Sequence, residues 1–238
     1  MVSITNKLQE VKRRLSAACA GAGRAPGAVQ LLAVSKTQDA GAVREAFAAG
    51  QRAFGENYVQ EALLKIEALA DLRLPASPQQ LIEWHLIGPL QSNKTRMVAE
   101  AFDWVHTVDR LKIAQRLAEQ RPAHLPPLQL CLQVNIDGGA NKSGVLPAEA
   151  LALAQAVSAL PRARVCLRGL MSIPEPVAGG DRVAQRLPHR ALHSLWVQLQ
   201  SAGLALDTLS MGMSADLEAA IAEGSTQVRI GSAIFGPR

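Results

Sequence analysis

Hydrophobic and polar positions along the chain fall into one recurring unit. A short run that is apolar at nearly every position is followed by a longer run whose apolar residues return every three or four positions. The first unit is VQLLAVSKT (29–37) followed by AGAVREAFAAG (40–50), which ends on glycine. The alternation continues as RAFGEN then YVQEALLKIEALADL, LIEWHLIG then SNKTRMVAEAF, DWVHTVD then RLKIAQRLAEQ, and LQLCLQVNI then PAEALALAQAVSAL. It closes with ARVCLRGLMSIP then a helix over 181–202, TLSMGMS then ADLEAAIAEG, and a last strand in QVRIGSAIFG.

Strands that are apolar on both faces, each separated from the next by a helix, predict parallel pairing with right-handed crossovers. Eight of them predict an α/β protein of one domain over residues 1–238, a single (β/α)8 TIM-type barrel. A further helix over 3–22 precedes the first strand and is expected outside the barrel or across its bottom. The proline-containing stretches RPAHLPP (121–127) and IPEPVAGGD (173–181) read as connections, the second long enough to be mobile.

Composition narrows the class. Hydrophobic residues make up 48% of the chain and aromatics only 3%, so the expected core is aliphatic. No run reaches the roughly 18 apolar residues that span a bilayer, and charges interrupt the N-terminal stretch where a signal peptide would be apolar. A cytoplasmic protein with no membrane partner is expected. Cys19, Cys131 and Cys166 are widely spaced without a C-x-x-C, which fits buried structural thiols and not a zinc site or disulfide framework. The net charge of +5 raises nucleic acid as a partner, but the basic residues are scattered and lack interleaved aromatics. The excess suits an anionic small ligand instead. His189 and His193 have i, i+4 spacing without the glutamate of a zinc motif, so a solvated helix face is expected. Residues 141–143 match a glycosylation sequon only formally.

Barrels of this kind place their chemistry at the C-terminal ends of the strands. Those ends deliver Lys36 from strand one, Gly55, Glu56 and Asn57 from two, His85 and Gly88 from three, and His106 and Asp109 from four. Asn135 comes from five, Met171 and Ser172 from six, SMGMS (210–214) from seven and RIGSAIFG (229–236) from eight. Gly212, Ser214, Gly231 and Ser232 suit a phosphate cup, since glycine admits a close backbone and helix N-termini attract anions. Each feature alone has a plainer reading: a Gly-Ser pair is an ordinary N-cap, Lys36 a solvated strand end, and His85 and His106 structural histidines. Their conjunction on one rim changes the balance, because strand one neighbours strand eight in a closed barrel. A phosphorylated aldehyde uses both features. Schiff-base formation needs a neutral amine, which a partly apolar mouth and the nearby Arg229 favour.

The runs AVSKTQ, FGENYVQE, WHLIGPLQSNK, HTVD, NKSGV, RGLMSIP and LSMGMSADLEAAIAEGSTQVRIGSAIFG resemble the pyridoxal phosphate homeostasis protein family, single-domain relatives of the N-terminal barrel of alanine racemase. The likeness runs from about Leu31 to Gly236. It implies pyridoxal 5'-phosphate held as a Schiff base on Lys36, with Ser214, Gly231 and Ser232 on the phosphate, Arg229 toward the pyridine nitrogen and Asn57 lining the site. Many relatives carry Thr where this chain has Ser232, and the hydroxyl is kept. With Met211 and His85 added, these are the candidate cofactor-binding residues; no catalytic residue and no metal is expected.

The resemblance implies a carrier or regulator of intracellular pyridoxal phosphate, with apo forms of pyridoxal phosphate enzymes as partners. The alternative is an alanine-racemase-like enzyme acting on amino acids. Two-base racemisation needs a second acid/base, a tyrosine that racemases take from a C-terminal β-domain. Here Tyr58 is the only tyrosine and the sequence ends at Arg238, directly after strand eight. A non-catalytic monomer is therefore expected.

Overall fold

Every strand expected from the apolar runs forms. In the computed structural model, which describes residues 3–73, 81–139, 141–177 and 181–236, they are β1 (Gln30–Val34), β2 (Ala53–Glu56), β3 (Glu83–Leu86) and β4 (Trp104–Val108), followed by β5 (Leu128–Gln133), β6 (Val165–Met171), β7 (Thr208–Ser210) and β8 (Gln227–Ile230). All pair in parallel in chain order, and β1 closes on β8 through the register Leu32 to Arg229. The helices are α1 (Ile4–Gly21), α2 (Ala40–Ala48), α3 (Val59–Ala68), α4 (Thr95–Ala101), α5 (Leu111–Gln120), α6 (Ala150–Ser158), α7 (Arg182–Ser201), α8 (Leu217–Ala222) and the single turn α9 (Ser232–Phe235).

Local chemistry starts the helices where the sequence places them. Ser3, Asp39 and Asp181 cap α1, α2 and α7, each side chain accepting from a backbone N–H of the first turn. The helices then bury one face inward; α5 turns Ile113, Ala114, Leu117 and Ala118 toward the core. The first helix lies on the outer wall, against α2, α8 and α9, and does not cross the bottom. Residues 178–180 of the long connection after β6 lie outside the described residues.

Two-residue alternation along the strands sorts the core into two parts. Leu31, Ala33, Phe54, Trp84, Leu86, Leu130, Leu132, Val228 and Ile230 face the helices and belong to the main aliphatic cluster. Burying each large side chain of this kind contributes about 1.5–3 kcal/mol, so this layer carries the fold. Inside the barrel, Leu32, Ala53 and Ile87 form a small separate cluster, with Val34 packed on it. Polar side chains share that interior, with His85, His106, Ser210, Gln227 and Arg229 all buried. Cys19 and Cys131 are buried as expected; burial pushes the Cys131 thiol up to about 12, which makes it inert. Cys166 is only half-buried.

Candidate functional site

The mouth of the barrel is built where β1 and β8 end side by side. A cavity of about 330 Å³ opens there, lined by Val34, Lys36 and Gln38 after β1, Asn57 after β2 and Ile87 after β3. Ile173 closes one side, Met213, Ser214 and Ala215 come from the loop after β7, and Arg229, Gly231, Ser232, Phe235 and Gly236 complete the wall. Six of the eight residues singled out from the sequence thus meet in one cavity: Lys36, Asn57, Ser214, Arg229, Gly231 and Ser232.

Met211 and His85 do not line it. Met211 is fully buried in the main core cluster, because Ser210 faces the barrel interior and the next residue must face the helices. Met213 takes the place on the wall. His85 does face inward, but two residues below Ile87, and of the two only Ile87 lines the cavity; the His85 ring stacks on Trp104 and pairs with His106. Gly212 is also off the wall, packed against Ala220.

Arg229 is 5% exposed and is held by acceptors at the ends of β6 and β7. Its Nη1 donates to Ser210 O at 2.7 Å and Ser210 Oγ at 2.9 Å, and its Nη2 donates to Ser172 O at 2.8 Å. Burial pulls its pKa down to about 10, so it stays charged at neutral pH. A guanidinium has five N–H donors, so its Nε–H and one Nη2–H have no acceptor among the described residues, in a side chain that lines the cavity. Below it, Ser210 Oγ lies 2.9 Å from His106 Nδ1, and His106 Nε2 lies 2.9 Å from His85 Nδ1.

The side of the cavity formed by Ser214, Gly231 and Ser232 is braced from behind. Ser232 and Ala233 start α9, and their N–H groups precede its first internal bonds, made by Ile234 and Phe235 to Gly231 O. In the loop after β7, Asp216 Oδ1 accepts from Met213 N at 2.6 Å, while Asp216 Oδ2 lies 2.9 Å from His189 Nε2. His189 is fully buried, which corrects the expectation of a solvated face: its side of α7 packs on the β7 loop. Arg14 of α1 donates to Ser214 O at 2.9 Å and forks onto Glu218 with two bonds of 2.7 Å.

Asn57 reaches the wall because Gly88 lets two strand ends touch. A Cβ on Gly88 would sit 2.1 Å from Asn57 O, so no other residue fits there. The Asn57 Oδ1 is buried and has no hydrogen-bond partner among the described residues. Sequence reading missed one feature entirely, the buried ionic cluster of Glu56, Glu61 and Lys65 under the β1 loop. Tyr58 is 56% exposed and does not line the cavity. Among the described residues, no group of three or more His, Cys, Asp or Glu is arranged to hold a metal, and no helix is long and apolar enough to cross a membrane.

A closed parallel barrel of eight strands, with a lysine after β1 and the Gly231–Ser232 pair after β8 on one cavity wall, defines a TIM-type α/β barrel, and the family description "Alanine racemase, N-terminal domain" matches residues 7–238. The chain belongs to that family and, within it, to the pyridoxal phosphate homeostasis proteins. It is 59% identical to the protein of that name from Pseudomonas aeruginosa, over 100% of this chain and 97% of that one. The Escherichia coli K12 protein of the same name is 52% identical over 100% and 98% of the two chains. Among solved structures, PipY of Synechococcus elongatus with PLP bound superposes with a TM-score of 0.81 at 38% identity, covering 98% of this chain and all of that one. Alanine racemase from Corynebacterium glutamicum shares the fold, with a TM-score of 0.65 at 17% identity over 98% of this chain and 61% of that one.

Proposed function

We propose that this chain binds pyridoxal 5'-phosphate at the barrel mouth, holds it as a Schiff base on Lys36, and buffers or delivers it inside the cell without turning over a substrate. The observation that carries the reading is that one cavity is lined by a lysine, a buried arginine and the Gly231–Ser232 turn. When bound, the cofactor supplies an aldehyde and an electron-withdrawing ring. The walls fit it by their donor chemistry. Lys36 offers the amine, whose Nζ bonds to the aldehyde carbon while the aldehyde oxygen leaves as water. The hydroxyls of Ser214 and Ser232 and the N–H groups opening α9 suit the phosphate. Arg229, which can only donate, suits an unprotonated ring nitrogen and so weakens the ring as an electron sink.

That last point supports storage over turnover. So does the wall itself, where Lys36 is the only Lys, His, Cys, Tyr, Asp or Glu among the described lining residues, with no second acid/base opposite it. A monomer is the proposed working unit, and apo forms of pyridoxal phosphate enzymes are the proposed recipients. The test is the visible spectrum of wild type and Lys36→Ala with added pyridoxal phosphate, followed by borohydride reduction and peptide mapping. An absorption band in wild type, missing in the variant, with the reduced adduct on Lys36, is expected. An adduct on another lysine would overturn the reading. Loss of α-deuterium from amino acids at a steady rate would replace storage by catalysis.

A further inference from the structure

The backbone on both sides of Lys36 is gripped by one buried charged cluster. Before it, Ser35 N–H donates to Gly55 O at 3.0 Å, Ser35 Oγ donates to Glu56 Oε1 at 2.6 Å, and Ser35 O accepts from Lys65 Nζ at 2.7 Å. After it, Thr37 N–H donates to Glu61 Oε1 at 2.6 Å. The grips are one network, because Lys65 Nζ also donates to Glu56 Oε1 at 2.8 Å and to Glu61 Oε1 at 2.6 Å. All three hydrogens of the Lys65 ammonium are thereby used, and its side chain is 6% exposed beside a Glu56 that is wholly buried.

Stability alone does not account for this arrangement. A buried ion pair is commonly no better for stability than apolar residues of the same size. The grip also holds Thr37 at φ 65°, the one described non-glycine residue with positive φ, which is costly for a β-branched side chain. A strained residue directly after Lys36, tied to the same cluster that ties the residue directly before it, sets the direction in which the lysine leaves the backbone. Neither Lys65 nor Glu61 lines the cavity, so they act through the chain and not on a ligand.

We infer that Lys65 and Glu61 are positioning residues for Lys36, fixing the peptides on either side of it so that its amine meets the cavity in one orientation. The inference rests on the reading of Lys36 as the amine that takes the aldehyde. Bond formation of this kind is sensitive to placement, and an error of about 1 Å costs up to about 100-fold in rate.

The experiment compares wild type, Lys65→Met and Glu61→Ala in binding pyridoxal phosphate and pyridoxine 5'-phosphate, which keeps the ring and phosphate but has no aldehyde. Phosphate and ring contacts act on both ligands; Lys36 distinguishes them. Wild type is expected to prefer the aldehyde. Both variants are expected to bind pyridoxine phosphate within about twofold of wild type, to lose about tenfold of the aldehyde preference, and to form the borohydride-trapped adduct more slowly. Glu61→Ala changes a half-exposed helix position, so it reports even where Lys65→Met strands Glu56 and fails to fold. A full aldehyde preference and wild-type trapping rate in Glu61→Ala overturn the inference. Equal loss of both ligands in a folded variant also overturns it, since that is a merely structural effect. A wild type that does not prefer the aldehyde removes the reading of Lys36 itself, and the inference with it.

Discussion

Arg229 Nη1 donates to Ser210 Oγ across 2.9 Å, and this contact sets the direction of the hydrogen bonds beneath it. A guanidinium cannot accept, so Ser210 Oγ accepts there, and the one acceptor within reach of its own O–H among the described residues is His106 Nδ1. His106 then carries its proton on Nε2 and donates to His85 Nδ1, which leaves the His85 proton on Nε2, facing Glu83 Oε2 at 3.6 Å. A polar file with a single direction runs from the mouth down the inside of the barrel.

Nitrogen NMR checks that direction. Both His85 and His106 are expected as Nε2–H tautomers. In Ser210→Ala the buried His106 Nδ1 loses its donor, which is expected to cost about 1–3 kcal/mol in denaturant unfolding. A proton on His106 Nδ1 in the wild type would reverse the file.

His106 also gives the fold a pH dependence. Burial, then repulsion from His85 and from Arg229, holds its pKa well below 6.5. Between that depressed value and about 6.5, the unfolded chain takes up a proton that the folded chain refuses. Stability is therefore expected to fall as pH drops below about 6.5, by up to about 1.4 kcal/mol per pH unit. Urea unfolding of wild type and His106→Gln across this range measures it. The variant's profile should be flatter, and parallel profiles would assign the effect to another group.

Gly212→Ala tests the bracing of the loop that carries Ser214. Gly212 has φ 96°, and a Cβ there would lie 2.5 Å from the Cβ of Ala220. The left-handed backbone is expected to cost about 1–2 kcal/mol and the overlap about 1–3 kcal/mol more. Adding Ala220→Gly should recover only the second part. Full recovery in the double variant would mean that the backbone angle carries no strain.

Thr37→Asn keeps the backbone N–H that Glu61 accepts while placing at φ 65° a residue that tolerates it. Stability is expected to rise by about 1 kcal/mol in thermal or denaturant unfolding. A loss of stability would show that the Thr37 side chain contributes more than its backbone costs.

The alternation of strands and helices is legible in the sequence because each strand is buried on both faces and each helix on one, so the two periods differ plainly. The cavity is legible for a related reason: in a closed barrel, neighbours in strand order are neighbours in space, and β1 meets β8. What fails is facing. Met211 follows the inward Ser210 and must point outward, and His85 lies inward but one layer too deep. Long-range ionic contacts are not legible at all. Glu61 and Lys65 are four residues apart on α3, a spacing that does not reveal burial, and only the packing of α3 beside the end of β2 brings Glu56 to them. His189 is hidden in the same way, since its spacing from His193 says nothing of what covers the helix.

Arg14 belongs to the helix outside the eightfold unit, yet it holds the carbonyl of Ser214, whose residue lines the mouth. Anything that orders Ser214 from within and anything that docks α1 from without therefore act on one peptide. Such coupling is reciprocal. Filling the mouth is therefore expected to make the first helix slower to be cut by protease, and Arg14→Ala to weaken that effect, so that the outer wall would read out the state of the inner cavity.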